Sequence, residues 1–84
     1  MSIETLRASI DAVDQQILAL FESRMALVKE IGEIKKQLQS PVLDTNREHL
    51  ILTRIKKQLI NKELEHYAVQ LFETLMRVSK DYQQ

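Results

Sequence analysis

From Ile3 to Leu38 the chain places an apolar side chain every three or four residues: Ile3, Leu6, Ile10, Val13, Ile17, Leu20, then Leu27, Ile31, Ile34 and Leu38. That spacing keeps one stripe of an α-helix apolar and marks a face that packs against other helices. No proline interrupts residues 3–39, so the stripe calls for one continuous helix, roughly 55 Å long at 1.5 Å per residue. Such a helix is out of proportion to a chain of 84 residues, whose own core must be thin. Two short helices from the same chain could fold back on it, but their connections are tight and the seam runs the whole length. A second copy lying antiparallel covers it better. The expected architecture is therefore all-α, with one long and two shorter helices per chain interlocked in a homodimer.

The rest of the chain supplies those shorter helices. Ser40-Pro41 ends the first, because the residue before proline is pushed out of helical geometry. A second helix is expected from Asp44, with Asp44 or Thr45 as its N-cap and Ile51, Leu52, Ile55 and Leu59 on its apolar face, stopping around Asn61. A third is expected from about Glu63, with Leu64, Tyr67, Ala68, Leu71, Phe72, Leu75, Met76 and Tyr82 on its inner side. One Gly and one Pro leave almost no turn-forming material for a sheet. No internal repeat divides the chain, and residues 1–84 are expected to form a single domain.

Charge and composition exclude several function classes. Twelve basic and twelve acidic side chains cancel, so the chain has no overall field for nucleic acid or an anionic membrane surface. The longest apolar run, Ile17 to Phe21, is far too short to span a bilayer, and the opening MSIETLRASID lacks a signal-peptide core. With no Cys there is neither a disulfide framework nor a thiolate metal site. A cytoplasmic protein without nucleic-acid or membrane partners is expected. His49 and His66 have no partner at metal-ligand spacing and are expected at the surface, with no metal bound. No nucleophile, base and acid set is evident, and no Gly-rich phosphate loop exists.

What stands out is polar residues where apolar ones belong. Arg24 fills a slot of the first helix's seam, and burying a guanidinium without partners costs several kcal/mol, so something anionic should meet it. Lys35, eleven residues on, returns to within about 20° of the same angle and lies roughly 16 Å further along the axis. Val28 and Ile31 lie between the two cations, and Gly32, on the neighbouring strip, leaves room for something. On the second helix Glu48 precedes Ile51, Leu52 and Ile55 on the inward face, next to Arg47. On the third, Ser79 and Gln83 continue an apolar stripe in polar form. Each has an ordinary explanation taken singly: Arg24 as a snorkelling side chain, Asp44 and Glu48 as helix-dipole residues, Ser79 and Gln83 as members of a fraying end. Together they outline a cationic, water-poor pocket for a small anion.

In order along the chain, LRASIDAVDQQILALFESRMALVKEIGEIK, PVLDTNREHLI and YAVQLFETLMRVSKDYQQ resemble the all-helical family of chorismate mutases over essentially the whole length. The specific parts are LRxxID, an Arg followed eleven residues later by Lys around ExxGxxK, and PVxDxxRE. The resemblance implies an intertwined dimer with two sites, chorismate as substrate and no cofactor. It implies that Arg7, Arg24 and Arg47 hold the substrate's two carboxylates, that Lys35 and Gln83 hydrogen-bond the ether oxygen of the breaking bond, that Glu48, with Asp44 beside it, binds the ring hydroxyl, and that Ser79 pairs with Gln83 on the third helix. Arg7 lies seventeen residues, roughly 25 Å, before Arg24 on one helix, too far to share its site within one chain, and the resemblance implies that it reaches into the partner chain's site. Two other expectations remain open at this level: a related lyase that removes pyruvate from isochorismate, and a non-catalytic helical module for dimerisation or regulation.

Overall fold

The structure, a computed structural model, describes residues 2–84. Those residues form three α-helices and no strand: α1 over Ile3–Leu38, α2 over Thr45–Gln58 and α3 over Glu65–Gln83, with a single 3₁₀ turn at Lys62–Leu64 leading into α3.

The ends of α1 follow from its sequence. Ser2 is the N-cap, its Oγ accepting from the Thr5 N–H at 3.1 Å, and Glu4 near the start with Lys35 and Lys36 near the end complement the helix dipole. At the far end Gln39 turns left-handed at φ 56°, and the N–H groups of Gln39 and Ser40 bond back to the carbonyls of Lys36 and Lys35 at 3.2 and 2.8 Å. This closure satisfies carbonyls that a helix end otherwise leaves open. Between its ends nothing breaks the ladder, which is why thirty-six residues stay in one rod.

The two shorter helices differ from expectation at one end each. Asp44 caps α2, its Oδ1 accepting from the Arg47 N–H at 3.0 Å, but α2 ends at Gln58 rather than around Asn61. No glycine follows to carry a left-handed closure, and Leu59 turns extended instead. Asn61 begins the next element: its Oδ1 accepts from the Glu63 N–H at 3.1 Å and caps the 3₁₀ turn.

Packing is one-sided. α3 touches both α1 and α2, and the buried residues are few: Val28 and Gly32 on α1, Met76 and Ser79 on α3. On α1 the strip that meets α3 contains Val28 and Gly32, one step round the helix from the apolar seam. The seam itself stays in solvent. Its first six members, Ile3 to Leu20, are between 46% and 69% exposed, and Leu27, Ile31, Ile34 and Leu38 are exposed as well. α3 behaves alike. Of the residues expected on its inner side, Ala68, Phe72, Leu75 and Met76 are covered, whereas Leu64, Tyr67, Leu71 and Tyr82 are exposed. At 100° per residue these two sets lie about 80° apart, so α3 is apolar around half its circumference. Between them α1 and α2 cover the first set and leave the second exposed.

The dimensions agree. The accessible surface is 7173 Å², against about 5,200 Å² for a compact protein of this mass. The radius of gyration is 15.9 Å and the longest extent 54 Å, where a compact chain of this length has a radius near 12 Å. No described helix is long and apolar enough to cross a membrane.

Candidate functional site

A cavity of about 280 Å³, partly open to solvent, lies where the three helices converge. α1 contributes Arg24, Val28, Ile31 and Lys35; the connection contributes Val42 and Asp44; α2 contributes Arg47, Glu48 and Ile51; α3 contributes Met76, Ser79, Lys80 and Gln83. Seven of the eight polar residues singled out in the sequence thus line one cavity. Its walls are apolar and its polar groups stand at the corners, the usual composition of a small-molecule site. The eighth, Arg7, is exposed about half of α1 away from Arg24 and lines no part of it.

Several of these polar groups are held by local structure. Arg24 Nη1 donates a short hydrogen bond to Ser79 Oγ. Ser79 spends its own proton on the Leu75 carbonyl one turn back, at 2.6 Å, which leaves an oxygen lone pair facing the guanidinium. The group that meets Arg24 is therefore a neutral hydroxyl and not the anion its seam position called for. Lys35 Nζ donates to the Val42 carbonyl at 3.1 Å. The left-handed closure at Gln39 ends α1, and the chain doubles back beside Lys35 within seven residues. Arg47, in the first turn of α2, is oriented through its backbone bond to Asp44.

Gly32 fills its expected role in a specific way. A Cβ on it would lie 3.1 Å from Gln83 Cγ and 3.2 Å from Gln83 Cα and Cβ, so its hydrogen is what lets the last turn of α3 rest on α1. Gln83 is accordingly helical and half-buried. Its Oε1 is buried without a hydrogen-bond partner from the chain, an arrangement that costs free energy unless a donor meets it.

Electrostatically the cavity favours an anion. Among the described residues the one ion pair is Lys80 Nζ to Glu48 Oε2 at 3.0 Å, so the cavity's other cations, Arg24, Lys35 and Arg47, have no carboxylate within ion-pairing distance. Lys80 is the residue that sequence reasoning passed over. The signal was there: Lys80 follows the buried Met76 by four and shares its inward face. No group of three or more His, Cys, Asp and Glu converges among the described residues, and His49 and His66 are both exposed. What the arrangement can do is grip a small, multiply charged anion against apolar walls and place a lysine and an amide on its interior; it contains no nucleophile paired with a base.

Residues 6–84 match the family model for chorismate mutase type II. The chain is 35% identical over 79 residues to a chorismate mutase of Methanocaldococcus jannaschii, covering 93% of this chain and 80% of that protein. It is 39% identical over 62 residues to a bifunctional chorismate mutase/prephenate dehydratase of Aquifex aeolicus, covering 74% of this chain but only 17% of that longer protein. Among solved structures, a conserved hypothetical protein from Pyrococcus furiosus superposes with a TM-score of 0.81 at 35% identity, over 98% of this chain and 95% of that one.

Proposed function

The chain belongs to the chorismate mutase type II family, and from that membership and the charge of the cavity we propose that it converts chorismate to prephenate. The observation that carries the proposal is the set of three cations without carboxylate partners, Arg24, Lys35 and Arg47, around one apolar-walled cavity. Chorismate is a dianion with an apolar ring, and its rearrangement is intramolecular. The ether C–O bond breaks while a C–C bond forms at the other end of the enolpyruvyl group, and three electron pairs shift together. No proton moves and no covalent intermediate forms, which suits a site with neither nucleophile nor base.

Catalysis on this reading is positioning and electrostatics. Arg24 and Arg47 clamp the carboxylates and hold the flexible substrate in the folded geometry that reacts. Lys35 and Gln83 face the ether oxygen and stabilise the negative charge that grows there as its bond lengthens. Glu48 accepts from the ring hydroxyl, with Asp44 capping the helix that carries it. Ser79 holds Arg24 in line.

The working unit is an intertwined homodimer of single-domain chains, in keeping with a cytoplasmic enzyme. The exposed seam of α1 and the uncovered stripe formed by Leu64 of the 3₁₀ turn with Tyr67, Leu71 and Tyr82 of α3 are apolar surfaces that a second copy covers. The same pairing carries Arg7 across to the other chain's cavity, where it completes the carboxylate clamp.

The test is chorismate consumption by the purified protein with the product identified. Prephenate is expected, and Lys35→Ala should lower kcat at least about 10²-fold, the usual loss for a transition-state contact of this kind. Near-normal turnover in Lys35→Ala removes that residue from the mechanism. Pyruvate in place of prephenate makes the protein a lyase.

A further inference from the structure

α3 anchors one cavity residue from each of the other two helices through two adjacent side chains. Ser79 meets Arg24 of α1, and Lys80 meets Glu48 of α2 at 3.0 Å. The second of these contacts has no part in the mechanism above. We propose that Lys80 is a positioning residue for substrate binding: it holds Glu48 by one carboxylate oxygen so that the other is presented to the ring hydroxyl. This inference rests on the proposed function and adds a residue to it.

Three observations carry it. Lys80 lines the cavity together with Glu48, so the pair belongs to the cavity wall. The contact is made through Oε2 at 3.0 Å, and a carboxylate has a second oxygen with its own lone pairs for a neutral hydroxyl. The pair is also poorly placed to serve stability, since its side chains are 33% and 27% exposed and ion pairs reached by solvent contribute little.

Orientation and charge are what it can supply. Glu48 sits in the first turn of α2, flanked by Asp44 and Arg47, with Lys35 and Arg24 facing it from α1 across the cavity. A free glutamate there samples several rotamers, and its negative charge opposes an incoming dianion. Lys80 fixes the side chain and offsets that charge from the rim, leaving the interior cations for the carboxylates. A lysine that instead touched substrate directly would have to leave Glu48 to do so.

Steady-state kinetics on chorismate with wild type, Lys80→Gln, Lys80→Arg, Glu48→Gln and the Glu48→Gln/Lys80→Gln double variant decide the matter, with thermal melts alongside. Lys80→Gln is expected to lower kcat/KM about tenfold, chiefly through KM, and Lys80→Arg to restore it to within about threefold, since the charge survives while the geometry changes. In the Glu48→Gln background the Lys80→Gln change should have almost no further effect, because the two residues act as one unit. Wild-type kinetics in Lys80→Gln overturns the proposal. So does a full tenfold loss on top of Glu48→Gln, which assigns Lys80 a contact of its own, and so does a loss of melting temperature that accounts for the lost activity. Wild type inactive on chorismate overturns the proposed function itself, a result distinct from all of these.

Discussion

Replacing Gly32 with alanine tests the joint between α1 and α3, because it adds one methyl group where the two helices touch. The new Cβ would lie 3.1–3.2 Å from three carbons of Gln83, two of them Cα and Cβ. Ordinary carbon contacts begin near 3.5 Å, so α3 must retreat by about 0.4 Å. Because Cα is among the crowded atoms, the last turn moves as a unit and cannot relieve the contact by a side-chain rotation. Two stability effects oppose each other. Alanine gains about 1 kcal/mol over glycine in a helix interior, and overpacking costs about 1–3 kcal/mol, with the low end expected at a helix terminus that is free to yield. The net change is expected to stay within about 1 kcal/mol. Catalysis has no such compensation. If a 1 Å misplacement costs about 10²-fold, 0.4 Å of displacement at the Gln83 amide costs about sixfold in kcat. Thermal melts and chorismate kinetics on the same preparation separate the two effects. A kcat unchanged within twofold in a folded Gly32→Ala protein refutes the reasoning, because then either the last turn of α3 is not seated on Gly32 or Gln83 does not act on the reaction.

Three further outcomes are expected. Arg7→Ala and Arg24→Ala chains should each be inactive alone. Unfolded and refolded together in equal amounts, they should recover about a quarter of wild-type activity: half the dimers are mixed, and one of each mixed dimer's two sites carries neither change; no recovery places both arginines in one chain's site or outside it. Ser79→Ala leaves the half-buried Arg24 without its hydroxyl partner, and loss of a hydrogen bond to a charged group of about 1.5–3 kcal/mol should appear as a lower melting temperature together with a raised KM. Gln39→Gly relieves a left-handed backbone, φ 56°, that costs a side-chain-bearing residue about 1–2 kcal/mol; denaturant unfolding should show a gain near 1 kcal/mol with unchanged turnover.

Local rules settled the elements. A three-and-four repeat without proline fixed α1, Asp44 with its short acceptor side chain fixed the start of α2, and Ser40-Pro41 fixed the break between them, because each acts over a few residues of backbone. Asn61 shows the limit of such rules: the same residue type ends one helix or caps the next, and only the extended geometry at Leu59 chose between them. The inward placement of Arg24, Lys35, Glu48, Ser79 and Gln83 was also legible, since helical periodicity places a residue on a face whatever that face meets. What periodicity does not contain is which face meets which. Both α1 and α3 carry apolar arcs wider than one neighbour can cover, and packing decided that α3 takes the Val28–Gly32 strip and leaves the seam in solvent. The pairing of side chains fifty-five residues apart, Arg24 with Ser79, and of Lys80 with Glu48, came from that same choice. Sequence by itself determined three amphipathic rods and a set of misplaced polar residues on them; tertiary structure decided that those residues surround one cavity, because contact between rods depends on the shape of both surfaces at once and on the one position, Gly32, where a hydrogen in place of a methyl lets them close.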